Sequence, residues 1–177
     1  MPEDDISQFA FSQFAARAWP GLVRTALLLT GDHAQAEDLA QNTLVRVHRH
    51  WRTVSRAERP EAYVHRILVN QHRSAWRRHR GREQLVASVP ERPGPDDPDE
   101  RLDRDARLES ALAELPPRMR AVLVLRFYSD LSEHQTAAAL GCSTGTVKSQ
   151  TSRGLTRLRQ ALAGADRPAD ISTRRAR

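Results

Sequence analysis

The chain has 177 residues, a formal net charge of +6 and an aromatic content of 5%. This length suits one domain or two small ones, built around a modest and largely aliphatic core. The excess of basic side chains favours a polyanionic partner. The acidic start MPEDDISQF lacks the apolar core of a signal peptide, and no apolar run is long enough to span a membrane. We therefore expect a cytoplasmic protein rather than a secreted or membrane-spanning one.

The first part of the chain predicts a small bundle of amphipathic helices. Residues 6–18 indicate a first helix, and Pro20 starts a second segment that ends at Thr30. Asp32 is a good N-cap for the long helix that follows, after which residues 52–59 read as a polar loop. The side chains predicted to face the core are Phe9, Phe14 and Ala18 in the first helix, and Ala36, Leu39, Ala40, Leu44, Val47 and Trp51 in the long one.

Residues 60–80 predict a further helix that is both amphipathic and strongly basic. Six arginines and no acidic residue lie within Arg66–Arg82. Basic and aromatic side chains together can hold single-stranded nucleic acid, although Tyr63 and Trp76 fit the inner stripe of this helix. Asn70 carries an amide that can read a base edge, or else it is an ordinary surface side chain. Spacing alone leaves both interpretations of Asn70 open.

A proline-rich, acidic stretch divides the chain. The segment PERPGPDDPDE contains four prolines and a cluster of acids, a composition that blocks helix continuation and is typical of a linker. We therefore predict an all-α protein of two small helical domains joined by a flexible linker. The predicted boundaries are 1–82 for the first domain, 83–105 for the linker, 106–163 for the second domain and 164–177 for a disordered basic tail.

The second domain is predicted to contain a helix-turn-helix within Leu131–Leu162. Ser132 caps a short helix, Gly141 ends it in a left-handed conformation, and Ser143 or Thr144 caps a second helix. The polar, basic outer face of that second helix suits the major groove of DNA; a plain helical hairpin is the alternative. Helices over 107–115 and 117–128 precede this motif. The predicted core residues here are Met119, Val122, Leu123, Leu125, Phe127, Val147, Leu155, Leu158 and Leu162.

No arrangement of side chains in the sequence predicts catalysis. Cys142 is the single cysteine, so an internal disulfide is excluded and a zinc cluster is not expected. The seven histidines lack the spacing of metal ligands, and the sequence has neither a glycine-rich phosphate loop nor a Gly-x-Ser-x-Gly elbow. We therefore expect no enzyme, no cofactor and no metal.

Three stretches, in this order, resemble one family: LLLTGDHAQAEDLAQNTLVRVHRHW, RPEAYVHRILVNQHRSAWRRHR and LPPRMRAVLVLRFYSDLSEHQTAAALGCSTGTVKSQTSRGLTRLR. Together they resemble the extracytoplasmic-function (ECF) sigma factors, in particular the short sigma-E-like proteins of actinobacteria. The resemblance implies that the first domain binds the β′ clamp helices of core RNA polymerase and opens the promoter −10 element. It implies that the second domain binds the −35 element as duplex and contacts the β flap. An anti-sigma factor is a further candidate partner.

The resemblance also assigns three sets of contact residues. The set for polymerase binding is Asp38, Gln41 and Asn42. The set for the −10 element is Asn70, Arg73, Arg77 and Arg78, with Asn70 where the family holds a flipped base. The set for the −35 element is Arg126, Ser143, Lys148, Ser149, Ser152 and Arg153. The sequence departs from the usual family pattern at Gln150, Thr151 and Gly154, and a glycine at position 154 costs helix stability.

Two other functions fit parts of the sequence. The helix-turn-helix alone also suits a stand-alone LuxR-like transcriptional regulator, but such a protein needs a dimerisation or sensor domain, and no receiver pattern or coiled coil is present. A membrane-surface protein is a weaker alternative, because the arginine run lacks a large apolar face opposite it. The preferred interpretation is a sigma factor that directs promoter recognition, promoter melting and transcription initiation.

Overall fold

The computed structural model describes residues 3–80 and 100–165, with side chains over 7–74 and 104–164. The regular structure within these ranges is entirely helical, which confirms the predicted all-α class. We refer to α1–α4 as the first half and to α5–α8 as the second half. The helices are α1 (Glu3–Thr30), α2 (His33–Arg49), α3 (Trp51–Val54), α4 (Pro60–Arg80), α5 (Glu100–Ala113), α6 (Pro117–Leu123), α7 (Glu133–Leu140) and α8 (Thr144–Ala165), and a π-helical turn, Val124–Tyr128, continues α6.

Helix α1 runs through Pro20 without interruption, so the predicted division of this segment at the proline is wrong. A proline inside a helix removes the hydrogen bond to the carbonyl four residues earlier, here that of Ala16. Pro20 and its neighbours Trp19 and Gly21 lie on the exposed side of the helix, as does Ala16. Water can therefore satisfy the carbonyl that the proline leaves free, and the helix continues.

The aromatic core of the first half forms where α1 meets α3. Phe14 is buried, and its ring centroid lies 5.1 Å from that of Trp51. Phe11 packs edge-on against the same indole at 5.5 Å. Phe9 was predicted to face inward but is 64% exposed. A five-residue separation places Phe9 about 140° around the helix from Phe14, whereas Phe11 shares the face of Phe14.

Helices α2 and α4 follow their predicted patterns closely. Asp32 caps α2, and its carboxylate accepts a hydrogen bond from the Gln35 amide at 2.7 Å. Helix α4 begins at Pro60, as the sequence indicates. The short helix α3 occupies the start of the segment that was expected to be a loop. The buried side chains of these two helices are Ala36, Leu39, Ala40, Thr43 and Val47 in α2, and Val64, Leu68 and Val69 in α4.

The second half differs from the prediction at two places. Helix α5 begins at Glu100, so residues 100–105 are helical rather than part of the linker. The other predicted linker residues, 83–99, and the tail from residue 166 onward lie outside the described residues. After α6, the Ser129 amide donates to the Val124 carbonyl five residues earlier at 3.0 Å, which makes a wider π turn. This turn directs Phe127, predicted to be a core residue, outward, and its side chain is 60% exposed.

The two halves pack against each other around a continuous apolar core. Buried residues of α1, α2 and α4 belong to the same cluster as buried residues of α5, α6 and α7. Polar contacts also cross this boundary, which we call the seam. Arg24 of α1, for example, pairs with Asp105 at 3.2 Å and with Glu109 of α5. The surfaces predicted to bind DNA are therefore positioned relative to one another by direct contact.

Candidate nucleic-acid interface

The helix-turn-helix is built from two well-capped helices and a glycine turn. The Ser132 hydroxyl accepts a hydrogen bond from the Gln135 amide, and the Gln135 side chain accepts one from the Ser132 amide, which forms a capping box. Gly141 ends α7 with φ of 62°. The Ser143 hydroxyl accepts from the Thr146 amide at 3.1 Å, so Ser143, rather than Thr144, caps α8. These caps fix the start of the recognition helix.

The outer face of α8 presents a row of polar side chains to solvent. Val147 is fully buried on the opposite side and orients the helix. Lys148 lies in an ion pair with Glu133 of α7, with Nζ and Oε2 3.7 Å apart. The Ser149 hydroxyl donates to the Thr146 carbonyl at 3.0 Å, so its oxygen remains able to accept a hydrogen bond. The exposed residues of the predicted −35 set on this face are Ser143, Lys148, Ser149, Ser152 and Arg153.

Arg126 has a different environment from the other members of the predicted −35 set. Its side chain is half-buried, and its guanidinium donates to the Leu131 carbonyl just before α7. The guanidinium carbon lies 6.0 Å from the ring centroid of Phe127. Its Nε is buried and has no hydrogen-bond partner among the described residues. Arg126 thus ties the π turn to the start of the helix-turn-helix.

The predicted −10 set lies on α4 but is not uniformly exposed. Asn70 is exposed, and its backbone carbonyl accepts a hydrogen bond from the Ser74 hydroxyl at 2.8 Å. Arg73 is half-buried, because its guanidinium donates to the Leu140 carbonyl at the end of α7. The side chains of Arg77 and Arg78 lie outside the described side chains. Arg73 therefore contacts the second half of the protein.

The predicted polymerase-binding residues share one exposed face of α2. Asp38, Gln41 and Asn42 are all exposed, and their spacing of three and four residues places them side by side. Val45, one helical turn further along, is 46% exposed and continues the same face. Val45 was not among the residues predicted from the sequence. Its spacing of seven residues from Asp38, which is two helical turns, was the available signal.

Two histidines of α4 are half-buried near the seam. Burial lowers the pKa of His65 below the ordinary value of 6.5; the Glu61 carbonyl, 2.8 Å from Nδ1, and the Glu61 carboxylate oppose this shift. Burial also lowers the pKa of His72, and the positive charge of Arg120 adds to the effect. Both imidazoles are therefore held in the neutral form more strongly than in water.

Two classes of site can be assessed over the part of the chain that the structure describes. Within residues 3–80 and 100–165, no helix is both long and apolar enough to cross a bilayer. In the same residues, no group of three histidine, cysteine or acidic side chains is positioned to hold a metal ion.

Comparison with known proteins identifies the family. Residues 15–82 match the family model "Sigma-70 region 2", and residues 105–158 match "Sigma-70, region 4". The chain is similar to the RNA polymerase sigma-E factor of Streptomyces coelicolor, with 36% identity over 88% of each chain. It is also similar to the ECF RNA polymerase sigma factor SigL of Mycobacterium tuberculosis, with 34% identity over 90% of each chain.

Two solved structures share the fold. The sigma factor RpoE of Bartonella quintana, in complex with the anti-sigma factor NepR, has a TM-score of 0.71 and 31% identity, and the match covers 89% of this chain and 99% of that one. CnrH, in complex with the cytosolic domain of CnrY, has a TM-score of 0.61 and 25% identity over 90% and 91% of the two chains. The chain belongs to the ECF sigma factors, which act with core RNA polymerase in transcription initiation.

Proposed function

We propose that this sigma factor recognises and opens promoters through three surfaces, each on a separate helix. The outer face of α8 reads the −35 element as duplex, the exposed face of α4 holds the melted −10 strand, and α2 binds the polymerase. The observation that carries this proposal is the exposed face of the capped helix α8: Ser149 and Ser152 lie opposite the buried Val147, and Lys148 and Arg153 flank them on either side. A helix oriented in this way suits the major groove.

The −35 surface combines phosphate and base contacts. Lys148 and Arg153 bind phosphates or guanine edges, and the hydroxyls of Ser143, Ser149 and Ser152 position the helix on the backbone. Arg126 contributes by holding the turn before α7, through its hydrogen bond to the Leu131 carbonyl. It also reaches DNA if its side chain leaves that carbonyl.

The −10 surface acts after strand separation. The exposed Asn70 amide hydrogen-bonds an unstacked base, while Arg73, Arg77 and Arg78 follow the phosphates. Captured bases offset part of the free energy lost when pairing and stacking are broken. RNA synthesis is carried out by the polymerase, so this chain contributes binding energy and needs no catalytic group.

The polymerase surface is the face of α2 formed by Asp38, Gln41, Asn42 and Val45. Polar side chains around a small apolar centre are typical of protein–protein interfaces. Binding to the polymerase fixes both DNA surfaces at one spacing and raises the effective concentration of each for its element. Since its partner is core RNA polymerase, the chain acts in the cytoplasm. We place its first domain at 1–82 and keep the predicted end of the second at 163, but because α5 begins at Glu100 we start the second domain there and limit the linker to 83–99.

An anti-sigma factor is a further proposed partner. Two proteins of this fold have been solved in complexes: the sigma factor RpoE with the anti-sigma factor NepR, and CnrH with the cytosolic domain of CnrY. A protein that covers α2 or α8 would prevent the corresponding contact with polymerase or DNA.

Reconstitution with core RNA polymerase tests the proposed function. The chain is expected to bind core enzyme in a pull-down and to support run-off transcription from a cognate promoter. If it binds promoter duplex tightly by itself and gives no transcription with core enzyme, the stand-alone regulator is the better interpretation.

A further inference from the structure

Arginine side chains carry much of the polar contact across the seam. From the first half, Arg24 pairs with Asp105 and Glu109, and Arg59 donates to the Gln135 side chain at 3.5 Å. From the second half, Arg120 donates to the Leu29 carbonyl of α1 at 3.1 Å. Arg73 also crosses the seam. Of these arginines, only Arg73 belongs to the predicted DNA-binding sets, so its contact links the packing of the halves to promoter binding.

The contact of Arg73 is fitted to the end of α7. The guanidinium donates to the Leu140 carbonyl. This is one of the last four carbonyls of the helix, which have no N–H donor within the helix itself. The negative end of the helix dipole favours a cation at this position. A Cβ added to Gly141 would lie 3.3 Å from Nη1 of Arg73. Gly141 therefore serves two purposes, because it adopts a φ of 62° and leaves room for the guanidinium.

The same contact limits how far apart the two DNA surfaces can be. Even a fully extended chain from Leu140 to Arg153 spans about 45 Å. With about 5 Å along α4 from Asn70 to Arg73 and about 8 Å for the arginine side chain, the backbones of Asn70 and Arg153 lie within about 60 Å. Positions −35 and −10 of a straight duplex are about 85 Å apart. While Arg73 contacts the Leu140 carbonyl, the protein therefore cannot bind both elements of such a promoter at once.

We propose that Arg73 is a latch: in the free protein the end of α7 occupies the same guanidinium that binds the −10 strand once the halves separate. The second half of the chain is thus a competitor for part of the −10 surface. The proposal rests on the assignment of Arg73 to that surface. Release of Arg73 from the Leu140 carbonyl has two effects. It frees the guanidinium to contact DNA, and it allows the −10 and −35 surfaces to move further apart.

A matched pair of glycine substitutions tests the latch without altering Arg73. Gly141→Ala places a methyl group against the guanidinium and offers it no hydrogen-bond acceptor, and the strain of an alanine at positive φ is shared by the control. Gly31→Ala is the control, because Gly31 has φ of 74° and nothing within 4 Å of an added Cβ. Spin labels at Arg66→Cys and Ala138→Cys, both exposed positions, report the α4–α7 separation in a Cys142→Ser full-length chain. Binding of a single-stranded −10 oligonucleotide is measured on unlabelled protein at low salt.

The latch predicts that Gly141→Ala lengthens the spin–spin distance and tightens oligonucleotide binding, while Gly31→Ala does neither. If the released fraction rises from about one tenth to most molecules, the affinity rises about tenfold. Equal distances in the two variants overturn the latch. A longer distance with unchanged oligonucleotide affinity overturns the competition between α7 and DNA. If no variant, wild type included, binds the oligonucleotide, the assigned −10 surface fails and the proposed competition for Arg73 fails with it, while the distance measurement still shows whether Arg73 holds the two halves together.

Discussion

Lys148 on the recognition helix α8 forms an ion pair with Glu133 in the first turn of α7, with Nζ and Oε2 3.7 Å apart. The two side chains are 68% and 38% exposed. Ion pairs in such surroundings contribute between zero and about 1 kcal/mol to stability. The ammonium group of Lys148 can therefore leave Glu133 and bind a DNA phosphate at little cost in free energy. Glu133 competes with the phosphate for this ammonium group.

The first prediction concerns this pair. Lys148→Gln should weaken binding to a −35 duplex and reduce the slope of log affinity against log salt by about one, since one phosphate contact is lost. Glu133→Gln should tighten binding and keep the slope, because the competing carboxylate is removed. Fluorescence anisotropy over a salt series measures both quantities. An unchanged slope in Lys148→Gln would show that this lysine does not meet a phosphate.

The second prediction separates duplex recognition from melting. Arg153→Ala should weaken −35 duplex binding by about 1–3 kcal/mol if the side chain contacts a base. Asn70→Ala should leave duplex binding unchanged but reduce open-complex formation on a paired promoter. A template with a pre-melted −10 segment should restore part of the loss. Permanganate footprinting and run-off transcription on both templates provide the measurement, and wild-type melting by Asn70→Ala would contradict the assignment.

The third prediction concerns the polymerase face of α2. Asp38→Arg and Val45→Asp should each weaken binding to core polymerase, since both residues lie on the exposed face opposite the buried stripe. Glu37→Arg makes the same charge change about 100° around the helix and is the matched control. Competition for core enzyme measures affinity, and circular dichroism checks that the variants stay helical. Equal losses in Asp38→Arg and Glu37→Arg would indicate a general charge effect.

The fourth prediction is a dependence of stability on pH. An unfolded histidine titrates near pH 6.5, whereas burial lowers the pKa of His65 and His72 in the folded chain. Just below pH 6.5 the unfolded chain therefore binds more protons, so stability is fully present above that pH and falls as the pH drops below it. Urea unfolding at pH 7.5 and 5.5 should show this loss.

Substitutions identify the histidines responsible. His72→Gln should flatten the pH dependence, because it removes an imidazole that is buried beside Arg120. The exposed His33→Gln is the control and should leave the dependence in place. If both variants behave like wild type, the loss of stability at low pH has another origin.

Local chemistry predicted much of the helical framework. The N-caps Asp32 and Ser132, the glycine that ends α7 and the proline that starts α4 each satisfy a requirement of helix ends within a few residues. Helix boundaries at such residues can be predicted because cause and effect are close in the chain. The helix-turn-helix and the exposed faces of α2 and α8 were predicted for the same reason.

Features that depend on distant neighbours were not predicted. The helix passes through Pro20 because the packing of the bundle leaves the proline on the solvent-exposed side, and Phe127 faces solvent because one π turn changes the phase of the helix. Arg73 fits a DNA-binding pattern equally well whether or not α7 lies beside it. Contacts across the seam join residues far apart in sequence, and the spacing of side chains along one helix carries no information about them.

Packing gives Gly154 a favourable role that its low helix propensity does not suggest. By propensity alone, glycine weakens α8. In the structure, Gly154 is buried, and an added Cβ would lie 3.2 Å from two side-chain carbons of Leu123 on α6. The missing side chain lets α8 approach α6 closely. The depth at which the recognition helix is seated thus depends on a residue on its inner side.

Because α8 packs so closely on α6, the recognition helix cannot be exchanged between proteins independently of α6. An α8 grafted from a relative with alanine at position 154 would be pushed outward from α6 by a few tenths of an ångström unless Leu123 moved. Its DNA-contacting side chains would then be displaced relative to the groove, even if each residue were correctly chosen. Exchanges meant to reprogram promoter choice should therefore transfer α6 and α8 together as one unit.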